Sequence, residues 1–255
     1  QRLETLAVGG PVPAPAPWAG TVSAVLTDVE GTTSSVAFVH EVLFPWARAH
    51  LPDWVAAERH RPEVASELTA VAREAGLAED DLDGQIRVLC RWIDEDRKVT
   101  PLKNLQGMIW AQGYASGAFR GHVYPDAAAA LHRWHAAGVP VHVYSSGSVS
   151  AQKLLFGHTE AGDLLPCLSG HFDTTAGGKK EVDSYAAIAR ALQLPPGRIL
   201  FLSDVRAELD AAAAAGLRTV WLERPGNPDR PGPEPAHPVA ADFDQVSLIA
   251  GLPGP

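Results

Sequence analysis

Residues 22–33 read VSAVLTDVEGTT. The apolar part of this stretch is short, has no helical period and ends at Thr27 and Asp28. Such a run, followed at once by a polar loop, is typical of a buried strand in a parallel sheet. Because ligands bind beyond the carboxyl ends of such strands, the acids that follow this one, Asp28 and Glu30, are candidates for a functional site.

Three further apolar runs of the same kind occur in the second half of the chain, at 139–144, 199–202 and 219–222. Each follows a segment with a helical pattern, at 126–137, 184–192 and 207–215. Gly138 and Gly216 stand directly after two of these segments, where glycine commonly ends a helix. The alternation of helices and strands predicts an α/β fold with a doubly wound parallel sheet.

The region between the first strand and the later ones has helical patterns, with Pro52 and Pro62 as interruptions. We therefore predict a helical cap domain, residues 35–124, inserted into a Rossmann-like catalytic core made of residues 21–34 and 125–255. Residues 1–20 are rich in proline, alanine and glycine, which favours a solvated, polyproline-like extension. Residues 239–243 are a candidate for a short final strand.

The composition excludes several classes of function. Because 21 Lys+Arg face 30 Asp+Glu, the formal net charge is −9, which disfavours nucleic acid and anionic membranes as partners. The two cysteines, Cys90 and Cys167, form neither a Cys-x-x-Cys pair nor a disulfide framework. No apolar run reaches about 18 residues and no signal peptide is visible, so we expect a cytoplasmic protein.

Polar and charged residues cluster where the predicted strands end or where a glycine-rich connection leads into a helix. In chain order they are Asp28 and Glu30, Ser145 and Ser146, the pair Lys179-Lys180, and Asp204. The acids would repel one another unless a cation lay between them. Since carboxylate and carbonyl oxygens suit a hard divalent cation, the sequence predicts a magnesium site at this edge of the sheet.

This set of residues suits phosphoryl transfer. Asp28 can attack phosphorus to form an aspartyl phosphate, and Glu30 can protonate the leaving oxygen and then activate water. Serine hydroxyls can bind phosphoryl oxygens, and a lysine can neutralise the charge that develops during transfer. We therefore predict a magnesium-dependent enzyme whose partner is a small-molecule phosphate. The negative net charge of the chain does not exclude such a substrate, because the cation and the lysine make the site itself locally positive.

Four stretches in this order carry a more specific signal. They are LTDVEGTTSSVAFVHEVLFPW at 26–46, VYSSGSVSAQKLLFGH at 143–158, GHFDTTAGGKKEVDSY at 170–185, and the stretch 199–216. Together they resemble the haloacid dehalogenase superfamily of phosphohydrolases and, within it, the enolase-phosphatases. The resemblance covers residues 25–226. It implies a haloacid dehalogenase-like core, a monomer, and conversion of 2,3-diketo-5-methylthiopentyl 1-phosphate, through its enol phosphate, to acireductone and phosphate in methionine salvage.

The resemblance also implies a ligand set for Mg²⁺. Asp28, Glu30 and Asp204 match the magnesium positions, and Glu30 is expected to contribute its backbone carbonyl, which leaves its side chain free for proton transfer. Most phosphatases of the superfamily carry a second aspartate where this chain has Glu30, which is consistent with a reaction in two stages. Glu208 stands where the superfamily often has a further acid, either beside the site or merely solvated on a helix.

The substrate-binding positions implied by the resemblance are Ser145, Ser146 and one lysine. Counting back from Tyr185 favours Lys179 over Lys180. The residue that removes the carbon-bound proton in the enolase step stays open, with Glu30 and Lys179 as candidates.

Other interpretations stay open at this point. The nearest alternative is a general magnesium-dependent phosphatase of the same superfamily, acting on another small phosphate ester. A metal-free dehalogenase leaves two acids without a cation, and a phospho-accepting receiver module is too short to hold the cap. Aromatic and histidine side chains of the cap are candidates either for core packing or for a pocket around the methylthio tail: His40, Phe44, Trp110, Tyr114 and Phe119.

Overall fold

The computed structural model describes residues 12–255. Its strands are β1 (Ala24–Thr27), β2 (Val141–Tyr144), β3 (Gly170–Phe172), β4 (Ile199–Ser203), β5 (Arg218–Leu222) and β6 (Val239–Ala240). Its α-helices are α1 (Val36–Phe38), α2 (Phe44–Glu58), α3 (Pro62–Ala75), α4 (Leu82–Asp94), α5 (Thr100–Ser116), α6 (Pro125–Ala136), α7 (Val149–Gly157), α8 (Val182–Leu192), α9 (Arg206–Ala214) and α10 (Phe243–Ala250). A π-helical turn, Val39–Leu43, joins α1 to α2.

The strands form one parallel sheet in the order β3-β2-β1-β4-β5-β6. The chain builds outward from β1 to β3 on one side, and then continues from β4 to β6 on the other side. The order of the strands therefore reverses between β1 and β4, which is where ligands bind in open sheets of this kind. This topology confirms the predicted α/β fold with a doubly wound parallel sheet.

The buried runs of sequence account for the central strands. Every residue of β1 and β4 is buried, and the core around them includes Leu26, Tyr144, Tyr185 and Phe201. The prediction missed β3, because its three residues are only half-buried at the edge of the sheet and give no apolar run. The candidate final strand at 239–243 is present as the two-residue β6.

Residues Ser35–His122 and Ser150–Asp163 form a second compact unit with its own core. Large side chains fill that core, among them Leu51, Leu89, Trp92 and Leu105. The predicted cap stopped at residue 124, and the prediction left 150–163 in the catalytic core. The observed grouping differs there, because the N–H of Gly121 donates to the carbonyl of His158 at 2.7 Å and joins the two segments.

The described part of the N-terminal extension lies against α10. The N–H of Ala16 donates to the carbonyl of Ile249, and the N–H of Gly20 donates to that of Ala250, both at 2.9 Å. Residues 16–20 thus differ from the predicted solvated extension, because the carbonyls at the end of α10 accept their hydrogen bonds. The first eleven residues of that prediction lie outside the described range. Among the helices within it, none is both long and apolar enough to cross a membrane.

Candidate active site

Asp28 lies directly after β1, at the carboxyl end of the central strand. Its residue is 4% exposed, and its N–H donates to the carbonyl of Leu202 in the neighbouring strand β4 at 2.9 Å. The hydroxyl of Thr32 donates to its Oδ2 at 3.3 Å. A carboxylate this well enclosed, at the point where the strand order reverses, is placed for chemistry on a bound ligand.

Residues 28–34, which we call the catalytic loop, turn back sharply on themselves. The N–H groups of Thr32, Thr33 and Ser34 all donate to the carbonyl of Val29, at 3.2, 3.0 and 2.9 Å. Gly31 has a φ of 78°, and a Cβ at this position would collide with the carboxylate of Asp204. Glycine is therefore required here, both for the left-handed backbone and for the close approach of the loop to Asp204. Glu30, the predicted acid and base, lies half-buried in this loop.

Lys179 joins two carboxylates. Its Nζ donates to Oδ1 of Asp28 at 2.5 Å and lies 2.9 Å from Oε2 of Glu208, and only 10% of its side chain is exposed. Ser203 donates its hydroxyl to the same carboxylate of Glu208 at 2.8 Å. Lys180 is exposed. The structure thus brings Lys179, and not its neighbour, to Asp28, and it places Glu208 beside the site rather than in solvent.

Burial and neighbouring charges determine how Lys179 and Glu208 ionise. Burial lowers the pKa of the Lys179 ammonium, but the adjacent carboxylates of Asp28 and Glu208 outweigh this effect and raise the pKa above its ordinary value. Burial and the charge of Asp28 raise the pKa of Glu208. Lys179 therefore carries a positive charge that stabilises two buried acids at once.

Two tyrosines fix the loop that carries Lys179. Tyr185 donates its hydroxyl to the carbonyl of Lys179 at 2.5 Å, and Tyr144 donates to the carbonyl of Gly177 at 2.8 Å. Gly177 has a φ of 124°, and a Cβ there would collide with Ser184. The glycine-rich connection therefore makes a turn that directs Lys179 inward, and sequence reasoning did not assign the two tyrosines a part in it.

Asp204 follows β4 and faces the catalytic loop. It is 3% exposed, and its Oδ1 accepts no hydrogen bond from the part of the chain that the structure describes. Burial and the nearby charge of Asp28 raise the pKa of its carboxyl to about 8. An orphaned, buried carboxylate oxygen beside a second carboxylate fits a hard divalent cation, which would satisfy it.

The other predicted magnesium ligands, Asp28 and the backbone carbonyl of Glu30, are compatible with a divalent cation at Asp204. Within residues 12–255, no group of three or more His, Cys, Asp or Glu side chains is arranged to hold a metal ion. The prediction asks for two carboxylates only, those of Asp28 and Asp204, because it assigns a backbone carbonyl to Glu30. Oxygen donors of this kind suit magnesium rather than zinc.

The two serines lie after β2, one strand along from β1. Ser145 is buried, and its hydroxyl accepts a hydrogen bond from the N–H of Gly147 at 3.1 Å. Ser146 is exposed. Both residues follow a strand that pairs directly with β1, so they lie at the same edge of the sheet as Asp28.

Comparison with known proteins agrees with this geometry. The family model described as haloacid dehalogenase-like hydrolase matches residues 22–216. Enolase-phosphatase E1 of Pseudomonas aeruginosa (strain UCBPP-PA14) is 56% identical over 226 residues, covering 89% of this chain and 98% of the relative. Enolase-phosphatase E1 of Azotobacter vinelandii (strain DJ / ATCC BAA-1303) is 54% identical, covering 90% and 99%. This chain belongs to the enolase-phosphatases of the haloacid dehalogenase-like hydrolases.

Solved structures support the fold of this enolase-phosphatase family member. The UTR4 protein of Saccharomyces cerevisiae is similar with a TM-score of 0.76 and 35% identity, covering 88% of this chain and 99% of that one. CbbY of Rhodobacter sphaeroides, solved in complex with phosphate, has a TM-score of 0.55 and 22% identity, which speaks for the fold alone. The family resemblance predicted from the four sequence stretches is therefore confirmed.

Proposed function

We propose that this chain is a magnesium-dependent enolase-phosphatase. Its proposed substrate is 2,3-diketo-5-methylthiopentyl 1-phosphate, and its products are acireductone and phosphate, as methionine salvage requires. The substrate assignment is supported by relatives named enolase-phosphatase that are 56% identical and matched over 98% of their length. The observation that carries the chemistry is the buried pair of Asp28 and Lys179, with the orphaned carboxylate of Asp204 beside it.

The enolase step moves one proton within the substrate. A proton leaves the carbon that bears the phosphate ester, and the adjacent carbonyl oxygen gains one, so no atom is lost. Lys179 is occupied as a donor to Asp28 and Glu208, which makes it a poor acceptor for this proton. We therefore assign the proton transfer to the side chain of Glu30.

Phosphoryl transfer then proceeds through Asp28. Glu30, a carboxylate at the end of the enolase step, first takes up a proton from solvent and returns one to solvent after hydrolysis. A carboxylate oxygen of Asp28 attacks phosphorus, the bond between phosphorus and the enol oxygen breaks, and the protonated Glu30 gives its proton to the leaving oxygen. A water molecule next attacks the aspartyl phosphate while Glu30 accepts its proton, which releases phosphate and restores the Asp28 carboxylate. Lys179 neutralises the negative charge on the phosphoryl oxygens, and Ser145 and Ser146 donate hydrogen bonds to them.

Mg²⁺ completes the proposed site. Asp28, Asp204 and the backbone carbonyl of Glu30 would hold it. When bound, it supplies positive charge for the phosphate oxygens and offsets the repulsion between the two carboxylates.

One assay tests the proposed function. The diketo phosphate is supplied with MgCl₂, and acireductone absorbance and free phosphate are followed together. Release of both products supports the proposal, whereas phosphate release from generic esters without acireductone would favour the general phosphatase. In Asp28→Asn, we expect substrate binding to survive while phosphate release falls to background. Normal turnover of that variant would show that Asp28 is not the nucleophile.

We further propose that the enzyme works in the cytoplasm as a monomer. Cys90 and Cys167 are both buried, and no disulfide joins them within residues 12–255, which is consistent with a reducing compartment. Light scattering of the purified protein and fractionation of the source cells test the two parts of this proposal separately.

A further inference from the structure

Three consecutive carbonyls of the catalytic loop accept hydrogen bonds from outside the loop. The loop's own N–H groups are turned inward, because those of residues 32–34 all donate to Val29. The carbonyls of Gly31, Thr32 and Thr33 therefore depend on other segments for donors. The carbonyl of Thr33 accepts a hydrogen bond from the backbone N–H of Tyr124 at 2.9 Å. The carbonyls of Gly31 and Thr32 accept hydrogen bonds from side chains.

Asn227 supplies the donor for Gly31. Its Nδ2 lies 2.9 Å from the carbonyl oxygen of Gly31 and 3.5 Å from that of Leu222, the last residue of β5. Asn227 is 6% exposed, so water competes little for either contact. This side chain thus connects the end of β5 to the residue of the catalytic loop that packs against Asp204.

Arg224 supplies the donor for Thr32. Its Nε donates to the carbonyl of Thr32 at 3.1 Å, while Nη1 and Nη2 donate to the two carboxylate oxygens of Asp126 at 3.0 and 2.8 Å. The guanidinium also lies 4.0 Å from the ring centroid of Tyr124, and the residue is 4% exposed. Only a planar fork of several donors can meet Asp126 and Thr32 together, so lysine is not an equivalent substitute.

We infer that Arg224 and Asn227 are positioning residues for the proposed phosphoryl-transfer site. Their hydrogen bonds go to backbone carbonyls and to Asp126 rather than to Asp28 or Lys179. They act through two adjacent peptide carbonyls, one of which places Gly31 against Asp204 and the other of which places Thr32 to donate to Asp28. Loss of either contact would let the loop shift and would change the spacing of the two carboxylates proposed to hold Mg²⁺. This inference rests on the proposed function.

The test compares Asn227→Ala and Arg224→Lys with the wild type and with Arg133→Lys. Arg133 is a matched control, because it pairs with Asp244 on α10 at 2.5 Å within the same compact unit and does not contact the catalytic loop. Two readouts are taken across a MgCl₂ titration: the rate of phosphate release from the diketo phosphate, and the melting temperature with MgCl₂ alone.

We expect Asn227→Ala and Arg224→Lys each to need about 10–100-fold more MgCl₂ for half of the maximal rate or of the maximal rise in melting temperature. Substitutions of residues that orient metal ligands typically have effects of that size. Arg133→Lys should melt earlier and keep the wild-type MgCl₂ midpoint. If Asn227→Ala and Arg224→Lys also have lower melting temperatures but keep the wild-type MgCl₂ midpoint, the two residues have a structural role only and the inference is overturned.

Two safeguards keep the outcome clear. If Arg224→Lys does not fold, Asn227→Asp and Asn227→Ala carry the test, because aspartate has the shape of asparagine but directs an acceptor at the Gly31 carbonyl. A wild-type protein without Mg²⁺-dependent phosphate release would contradict the proposed function itself. If the wild type is active and the variants at Arg224 and Asn227 keep its MgCl₂ midpoint, only the positioning inference is contradicted.

Discussion

Replacing Lys179 with methionine removes the ammonium group that Asp28 and Glu208 share. The two side-chain carboxylates then remain buried, with 5% and 9% exposure, and without the cation that balances them. Methionine has a similar length, so the change tests charge rather than volume. Lys180→Met serves as the matched control, because that lysine is the next residue and is exposed.

The size of the effect follows from the two contacts. At 2.5 and 2.9 Å, and with an effective dielectric constant of about 20, each attraction is worth roughly 6 kcal/mol before desolvation is counted. Desolvation offsets much of this, and removal of one partner from a buried ion pair typically costs about 3–5 kcal/mol. We expect that loss in the free energy of unfolding for Lys179→Met near pH 8, against about 0.5 kcal/mol or less for Lys180→Met.

The pH dependence has a definite sign. Burial and the charge of Asp28 already raise the pKa of Glu208, and loss of the lysine would raise it further. An acid whose pKa is higher in the folded protein takes up a proton on folding, so its unfavourable effect is greatest at high pH and shrinks on acidification. The difference between Lys179→Met and wild type should therefore be smaller at pH 5.5 than at pH 8.

Urea unfolding followed by circular dichroism at both pH values, in the presence of EDTA, measures these quantities. Equal stability of Lys179→Met and Lys180→Met at pH 8 would refute the electrostatic reasoning. A loss that does not change with pH would point to packing instead of charge.

Three further predictions concern the same site. MgCl₂ should raise the melting temperature more at pH 8 than at pH 6, because the pKa of Asp204 is about 8 and the cation must displace a proton at the lower pH; equal shifts in scanning fluorimetry would count against Asp204 as a ligand. Gly31→Ala should destabilise the protein by about 1–3 kcal/mol more than Gly138→Ala, since both glycines have a positive φ but only a Cβ at Gly31 meets Asp204; chemical denaturation gives the difference. Tyr185→Phe should cost about 1 kcal/mol in unfolding free energy and lower kcat for phosphate release, because it removes the hydroxyl that fixes the Lys179 carbonyl; an unchanged kcat would contradict that role.

The sequence predicted the centre of the fold better than its edges. Both faces of β1 and β4 are covered, so these strands appear as uninterrupted apolar runs, and the predicted positions of β2 and β5 agree with the structure within two residues. The edge strand β3 escaped prediction because half-buried positions tolerate residues such as His171. The grouping of residues 150–163 with the helical unit also escaped, since it depends on backbone contacts between segments far apart in the chain.

The sequence predicted those site residues whose positions follow directly from the order of the strands. Asp28 and Asp204 follow strands that turned out to be neighbours, which places both acids at the same edge of the sheet. Periodicity and spacing could not choose between Lys179 and Lys180, and the preference came from the family resemblance. The structural reason for it is the turn at Gly177 together with the hydroxyl of Tyr185, neither of which leaves a local signal in the sequence.

Arg224 and Asn227 escaped prediction for a different reason, which lies in the backbone of the catalytic loop. This loop turns three N–H groups onto one carbonyl and leaves the carbonyls of Gly31, Thr32 and Thr33 dependent on donors from other segments. Each such carbonyl, if buried and unpaired, costs about 1–3 kcal/mol, so the fold must bring donors from elsewhere. The donors for Gly31 and Thr32 stand in a proline-containing segment after β5 that has the composition of an ordinary surface loop. The polar groups that a tight loop leaves unsatisfied therefore indicate where its supporting side chains must come from.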